Sequence, residues 1–155
     1  MAGSTGLTLS SLEDVREFLK KFPNLKVTSY KENDSAKPPS GELFKRFEQA
    51  FNNLPQGHRK MCLAFHGTPE GNIDSICNNG YDPKLRGTSG GQAYGAGEYF
   101  ATDPNTSLSY CKYGKKMLLN ELLLGQSGVH HTQHGAIIVM KDPSHELPRF
   151  VITFQ

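Results

Sequence analysis

The sequence predicts a single mixed α/β domain. Helix-period apolar stripes fill two N-terminal segments, and short β-rich runs bounded by glycine and proline recur to the C-terminus. The length of 155 residues fits one domain that buries its own core without disulfide support.

The elements follow in order. Met1 to Thr8 is small and polar and reads as a flexible tail, leaving 9–155 as the domain. Ser10 or Ser11 can cap a helix over Leu12 to Lys21, with Val15, Phe18 and Leu19 on one face. Asn24 to Tyr30 alternates as a strand, and polar, proline-bearing Lys31 to Pro39 reads as a loop. A second helix runs to about Asn52 with the stripe Leu43, Phe44, Phe47 and Phe51, which suits a core.

Cys62 to Phe65 reads as a buried strand. Pro69 opens a helix over about Glu70 to Asn78, which Asn79-Gly80 stops. The four glycines at 87, 90, 91 and 95 make Asp82 to Gly95 a loop over a pocket. Tyr99 to Thr102 is a strand, and Asn105 to Tyr113 a helix with Ser107 and Tyr110 on one face. Met117 to Leu124 is apolar enough for either a strand or a helix. Ala136 to Lys141 and Arg149 to Phe154 are strands joined through Asp142-Pro143.

Composition narrows the class. The net charge of +2 and pI near 8.4 are too weak to argue for a nucleic-acid protein. Lys112, Lys115 and Lys116 read as a solvated face. Cys62, Cys77 and Cys111 form no close pair and sit among apolar neighbours, so reduced thiols in a cytoplasmic or nuclear setting are expected. No signal-peptide core follows Met1 and no apolar run approaches ~18 residues, so no membrane role is expected.

The chemistry concentrates in two stretches. Ala64-Phe65-His66-Gly67-Thr68 puts an apolar strand before a His-Gly-Thr turn. Gly95-Ala96-Gly97-Glu98-Tyr99-Phe100-Ala101 runs a glycine-rich loop into a strand, and Tyr110 closes Ser107-Leu108-Ser109-Tyr110. A glycine after the histidine lets a ligand approach the backbone, whose N–H and C=O can bond a carboxamide. Two tyrosines can sandwich a flat heteroaromatic ring, worth roughly 0.5–1.5 kcal/mol per pair beyond burial. A serine hydroxyl can donate to the amide oxygen. Nicotinamide is a ring of that description.

These blocks resemble the catalytic domain of the poly(ADP-ribose) polymerase family, the diphtheria-toxin-like ADP-ribosyltransferases. Further matching blocks are Met117-Leu118-Leu119 through Leu124-Gly125 and Leu147-Pro148-Arg149-Phe150-Val151-Ile152-Thr153-Phe154. The resemblance covers about Met61 to Gln155 and makes Met117 to Leu124 a strand. It implies two packed, mainly antiparallel sheets with flanking helices and a nicotinamide pocket between them.

It also implies residue roles, with NAD as co-substrate and no metal. His66 would bond the ribose beside the nicotinamide. The Gly67 backbone and Ser107 hydroxyl would hold the carboxamide, and Tyr99 and Tyr110 would stack on the ring. Thr68 and Asn72 would face the ribose or the adenosine half, and Lys84 to Tyr94 would line the donor site.

The third signature position departs from the family pattern. Polymerising members carry a glutamate there. Counting back without gaps from the final strand, the position falls on Ile137. The catalytic triad then reads His66, Tyr99, Ile137, a pattern the family associates with mono-ADP-ribosylation or lost activity. A carboxylate near the ribose would stabilise an oxocarbenium-like transition state and polarise an acceptor hydroxyl. Isoleucine does neither. By alternation, Glu98 should point away from the face of Tyr99.

The expected activity is transfer of one ADP-ribose from NAD to a protein acceptor, or to a nucleic-acid acceptor, by a monomer. The rivals are a catalytically silent NAD-binding module, an NAD hydrolase and a polymerase that draws its carboxylate from elsewhere. His130, His131 and His134 read as surface histidines in a glycine-flanked loop rather than a zinc site. The resemblance sets that loop near the acceptor side.

Overall fold

The computed structural model describes residues 6–86 and 93–155. The described elements run α1 (Leu12–Lys20), β1 (Val27–Glu32), α2 (Glu42–Asn53), β2 (Met61–His66), α3 (Ile73–Asn79), β3 (Glu98–Ala101), α4 (Pro104–Leu108), β4 (Lys116–Leu123), β5 (His131–His134), β6 (Ile137–Met140) and β7 (Glu146–Phe154). The strands form an antiparallel sheet of order β1-β7-β4-β2-β3-β6-β5.

The antiparallel α/β expectation holds, with one correction. The two expected sheets are a single sheet that is nearly cut in two. β2 pairs with β4 from Met61 to His66, yet meets β3 only at Phe65↔Ala101. The rest of β3 leaves its edge toward β2 unpaired, and a cleft opens along that edge.

Helices cover both faces. On one face, Val15 of α1 packs on Phe65, Met117, Leu119 and Phe150, while Leu43, Phe47 and Phe51 of α2 pack on Leu123 and Leu147. Burying each large apolar side chain contributes roughly 1.5–3 kcal/mol. On the other face, Ile73 and Ile76 of α3 pack on Ala64, Leu118, Leu122 and Ile138. Two-sided burial explains why β4 is buried from Met117 to Leu123, the polar Asn120 and Glu121 included.

Local chemistry sets the ends. Ser11 caps α1 in a reciprocal capping box with Asp14, at 2.9 and 3.0 Å. Gly80 ends α3 at φ 81°, where a side chain would be strained. Leu7 and Leu9 pack beside the α2 cluster, and Ser10 bonds the Glu121 carboxylate through N and Oγ at 3.0 and 2.9 Å. Of the expected tail, residues 1–5 lie outside the described residues.

Several boundaries move. β1 starts at Val27, where its ladder with β7 begins at Val27↔Phe154, and runs on to Glu32. The expected loop after it holds a short 3-10 turn at Asp34–Ala36, capped by the Asn33 side chain. The helix expected from Glu70 opens as a 3-10 turn and becomes α-helical at Ile73. The helix expected over 105–113 is α4 plus a 3-10 turn at Ser109–Cys111, after which Lys112 and Tyr113 take positive φ. The expected histidine loop is largely strand. β5 pairs with β6 across a tight turn at Gly135, φ 63°.

Candidate active site

The cleft between the sheet halves is a cavity of about 560 Å³. His66, Gly67, Thr68, Asn72, Tyr99, Ser107, Tyr110 and Ile137 all line it.

His66 ends β2 at the point where the sheet splits. Its Nδ1 lies 2.8 Å from the Tyr99 carbonyl, so the imidazole takes a place a strand donor would fill on the open edge of β3. A carbonyl only accepts, so Nδ1 carries the hydrogen. Burial holds the His66 pKa below its ordinary value, against the Tyr99 hydrogen bond and the Glu98 charge. The neutral ring therefore has Nε2 as an acceptor, suited to a ribose hydroxyl. Tyr81 meets the ring edge-on at 4.9 Å and Phe100 lies tilted at 5.3 Å.

Tyr99 is fixed at its far end. Its hydroxyl donates to the Gly95 carbonyl and accepts from the Tyr94 N–H, both at 2.7 Å. The phenol oxygen is thus committed, and the ring face is what the residue offers a ligand. Ile137 stands on neighbouring β6, where the register pairs Ala101 with Ile137 and Tyr99 with Val139. Asn72 Nδ2 donates to Thr68 Oγ1 at 3.1 Å.

Packing adds a second reason for glycine at 67. A Cβ there would collide with the Ser107 carbonyl and crowd Tyr110 Cβ at 3.2 Å. What approaches this backbone is α4 and the turn after it, and the close fit sets Ser107 and Tyr110 beside Gly67.

Sequence reasoning missed Tyr81, and it named Arg86 only as part of the 84–94 segment expected to line the donor site, where Arg86 does line the cavity. Tyr81 follows Gly80, where a residue just past a helix end commonly folds back apolar, and that signal was present. Its hydroxyl donates to Asn120 Oδ1 at 2.6 Å. Glu98 does leave the face of Tyr99, yet it lines the cavity because the cleft wraps the open strand edge. Glu121 lies on the opposite sheet face, bound to Arg149 at 2.7 Å and to Ser10. Of the segment expected to line the donor site, 87–92 lies outside the described residues.

The three histidines do not converge. His131 bonds the Leu124 carbonyl at 2.6 Å, His130 stacks on His145, and His134 stacks on Tyr94 at 4.2 Å. Among the described residues no group of three His, Cys, Asp or Glu side chains could hold a metal ion, and no helix is long and apolar enough to cross a membrane.

The antiparallel sheet and its flanking helices fit the ADP-ribosyltransferase class, whose donor is NAD. Residues 26–146 match the poly(ADP-ribose) polymerase catalytic domain, and the chain belongs to that family.

Proposed function

We propose that the protein transfers a single ADP-ribose unit from NAD to a protein side chain and releases nicotinamide. The observation that carries this is Ile137 in the wall of a cavity that also holds His66, Gly67, Tyr99, Ser107 and Tyr110.

The reaction breaks the bond between the ribose anomeric carbon and the nicotinamide nitrogen, and the bonding pair neutralises the pyridinium. An acceptor carboxylate oxygen then bonds the anomeric carbon, and its negative charge is consumed in that bond. Gly67 and Ser107 grip the carboxamide, the tyrosine rings hold the leaving group flat, and His66 Nε2 orients the ribose. Positioning of this kind contributes through entropy already lost on binding. The cationic transition state still needs a counter-charge. Ile137 has none to give. Asp82 and Glu98 are the carboxylates lining the described cavity, and both are engaged, Asp82 with the Lys84 N–H and Glu98 with Arg86. An acceptor carboxylate supplies the charge and becomes the modified group. Chain extension lacks the base that would polarise a ribose hydroxyl.

Incubation with labelled NAD and an acidic protein acceptor tests this. One ADP-ribose mass increment per site is expected. A ladder would show polymerisation, free ADP-ribose alone would show hydrolysis, and no nicotinamide release would show a silent binding module.

A further inference from the structure

Behind the cavity wall lies a charge arrangement that donor binding alone does not require. Glu146, the first residue of β7, is 1% exposed, and among the described residues neither carboxylate oxygen meets a hydrogen-bond donor. Against it stands the Glu98 carboxyl, with Arg86, Asp142 and Tyr81 around the pair. Glu98 is 6% exposed and takes a two-point ion pair from Arg86, Nε to Oε2 and Nη2 to Oε1 at 2.9 Å. Arg86 Nη2 also donates to the Lys141 carbonyl at 3.2 Å.

Two buried carboxyls stand near one guanidinium, which bonds Glu98 alone of the two. With both ionised, a negative charge stays buried and two carboxylates face each other, which is costly. A proton on Glu146 removes both problems. It gives Glu146 a donor, with Glu98 as the acceptor within reach. Burial and the Glu98 charge push Glu146 well above the usual carboxylate range, and Arg86 pulls the other way.

The arrangement ties two walls of the cleft together. The segment after α3 presses Tyr81 against His66 and carries Arg86, while Glu98 opens the strand that carries Tyr99. Resting on the reading of the cleft as an NAD site, we propose that Glu146, Glu98 and Arg86 form a positioning triad, in which Glu146 donates to Glu98 and Glu98 holds Arg86 against the cavity wall.

Two experiments on the full chain test it. The first is carbon NMR of the glutamate carboxyls without NAD. At pH 7 one signal should keep the protonated position and vanish in Glu146→Gln. Full ionisation of every glutamate at pH 7 would overturn the triad.

The second compares NAD kinetics across variants. Glu146→Gln keeps a donor and should hold KM within about twofold, whereas Glu146→Leu should raise KM about tenfold with kcat within about threefold, as for a lost positioning contact. Equal KM values in the two variants would overturn the role. Should Glu146→Leu fail to fold, Arg86→Ala on the cavity wall replaces it. The same rise in KM is expected, and an unchanged KM would overturn the proposal. Direct titration separates the readings. A wild type that does not bind NAD overturns the donor-site reading and the positioning role together, while the NMR result still decides whether the proton pair exists.

Discussion

His66 does two jobs with its two ring nitrogens. Nδ1 ties β2 to the open edge of β3, which leaves Nε2 as the acceptor of a residue that lines the cavity. His66→Ala loses both, and Tyr99→Ala loses the ring that its two hydroxyl bonds hold in place. Each substitution should lower NAD turnover at least about 10²-fold, the scale of losing one oriented group in a transition state. Circular dichroism should show the fold intact, and near-wild-type turnover in either variant would move the site elsewhere. Ile137→Glu should return a carboxylate to the cavity without producing long chains, because the acceptor loop must also seat an ADP-ribose end. Gel analysis checks this, and a polymer ladder from that one change would show the loop already competent. At this scale His66 and Gly67 were legible as cavity residues, because a histidine that ends a strand before a glycine has a chemical reason to be there, and both line the cleft. The role of Arg86 was not, because it depends on Glu98 across the cleft and no local pattern links the two.

Helix α2 shows what an element contributes. Its four large apolar residues fall at helical spacing, and all are buried. Phe47 is 1% exposed and meets both the sheet and the helix's own neighbours. Phe47→Ala should cost about 3–5 kcal/mol through lost transfer energy and a residual cavity. Urea unfolding measures it, and a loss below about 1 kcal/mol would mean the site collapses around the gap. Elements with a one-sided stripe, α1 and α2, could be read directly from the sequence. β4 could not, since burial on both faces erases the alternation that marks a strand. β5 was hidden differently. Its His131-Thr132-Gln133-His134 run is polar, and only pairing with β6 makes it a strand. The near-division of the sheet at Phe65↔Ala101 rests on how short β3 is and where its partners lie, and residue spacing carries no trace of that.

For the whole molecule, the buried titratable groups predict a stability optimum. His66 and His145 are both held below the ordinary histidine value of 6.5, with burial the largest cause. As pH falls below 6.5 the unfolded chain takes up protons that the folded protein refuses, so stability drops toward acid. Glu146 acts with the opposite sign. Raised well above 4.5 by burial and by Glu98, it keeps its proton in the folded state after the unfolded chain has lost it. Its contribution is full below 4.5 and is lost as pH rises through its folded value. Just below 6.5 the two histidines outweigh the one glutamate, and above 6.5 the glutamate acts without them. Cys62 and Cys77, raised to about 11, join only at more alkaline pH. Stability should therefore peak near pH 6.5 and decline on the alkaline side at up to about 1.4 kcal/mol per pH unit, the slope for one linked proton. Urea unfolding across pH 5 to 8.5 gives the curve. Glu146→Gln should flatten the alkaline limb and leave the acid limb in place, because the amide does not titrate and the histidines are untouched. An alkaline slope unchanged in that variant would assign the linked proton to another group.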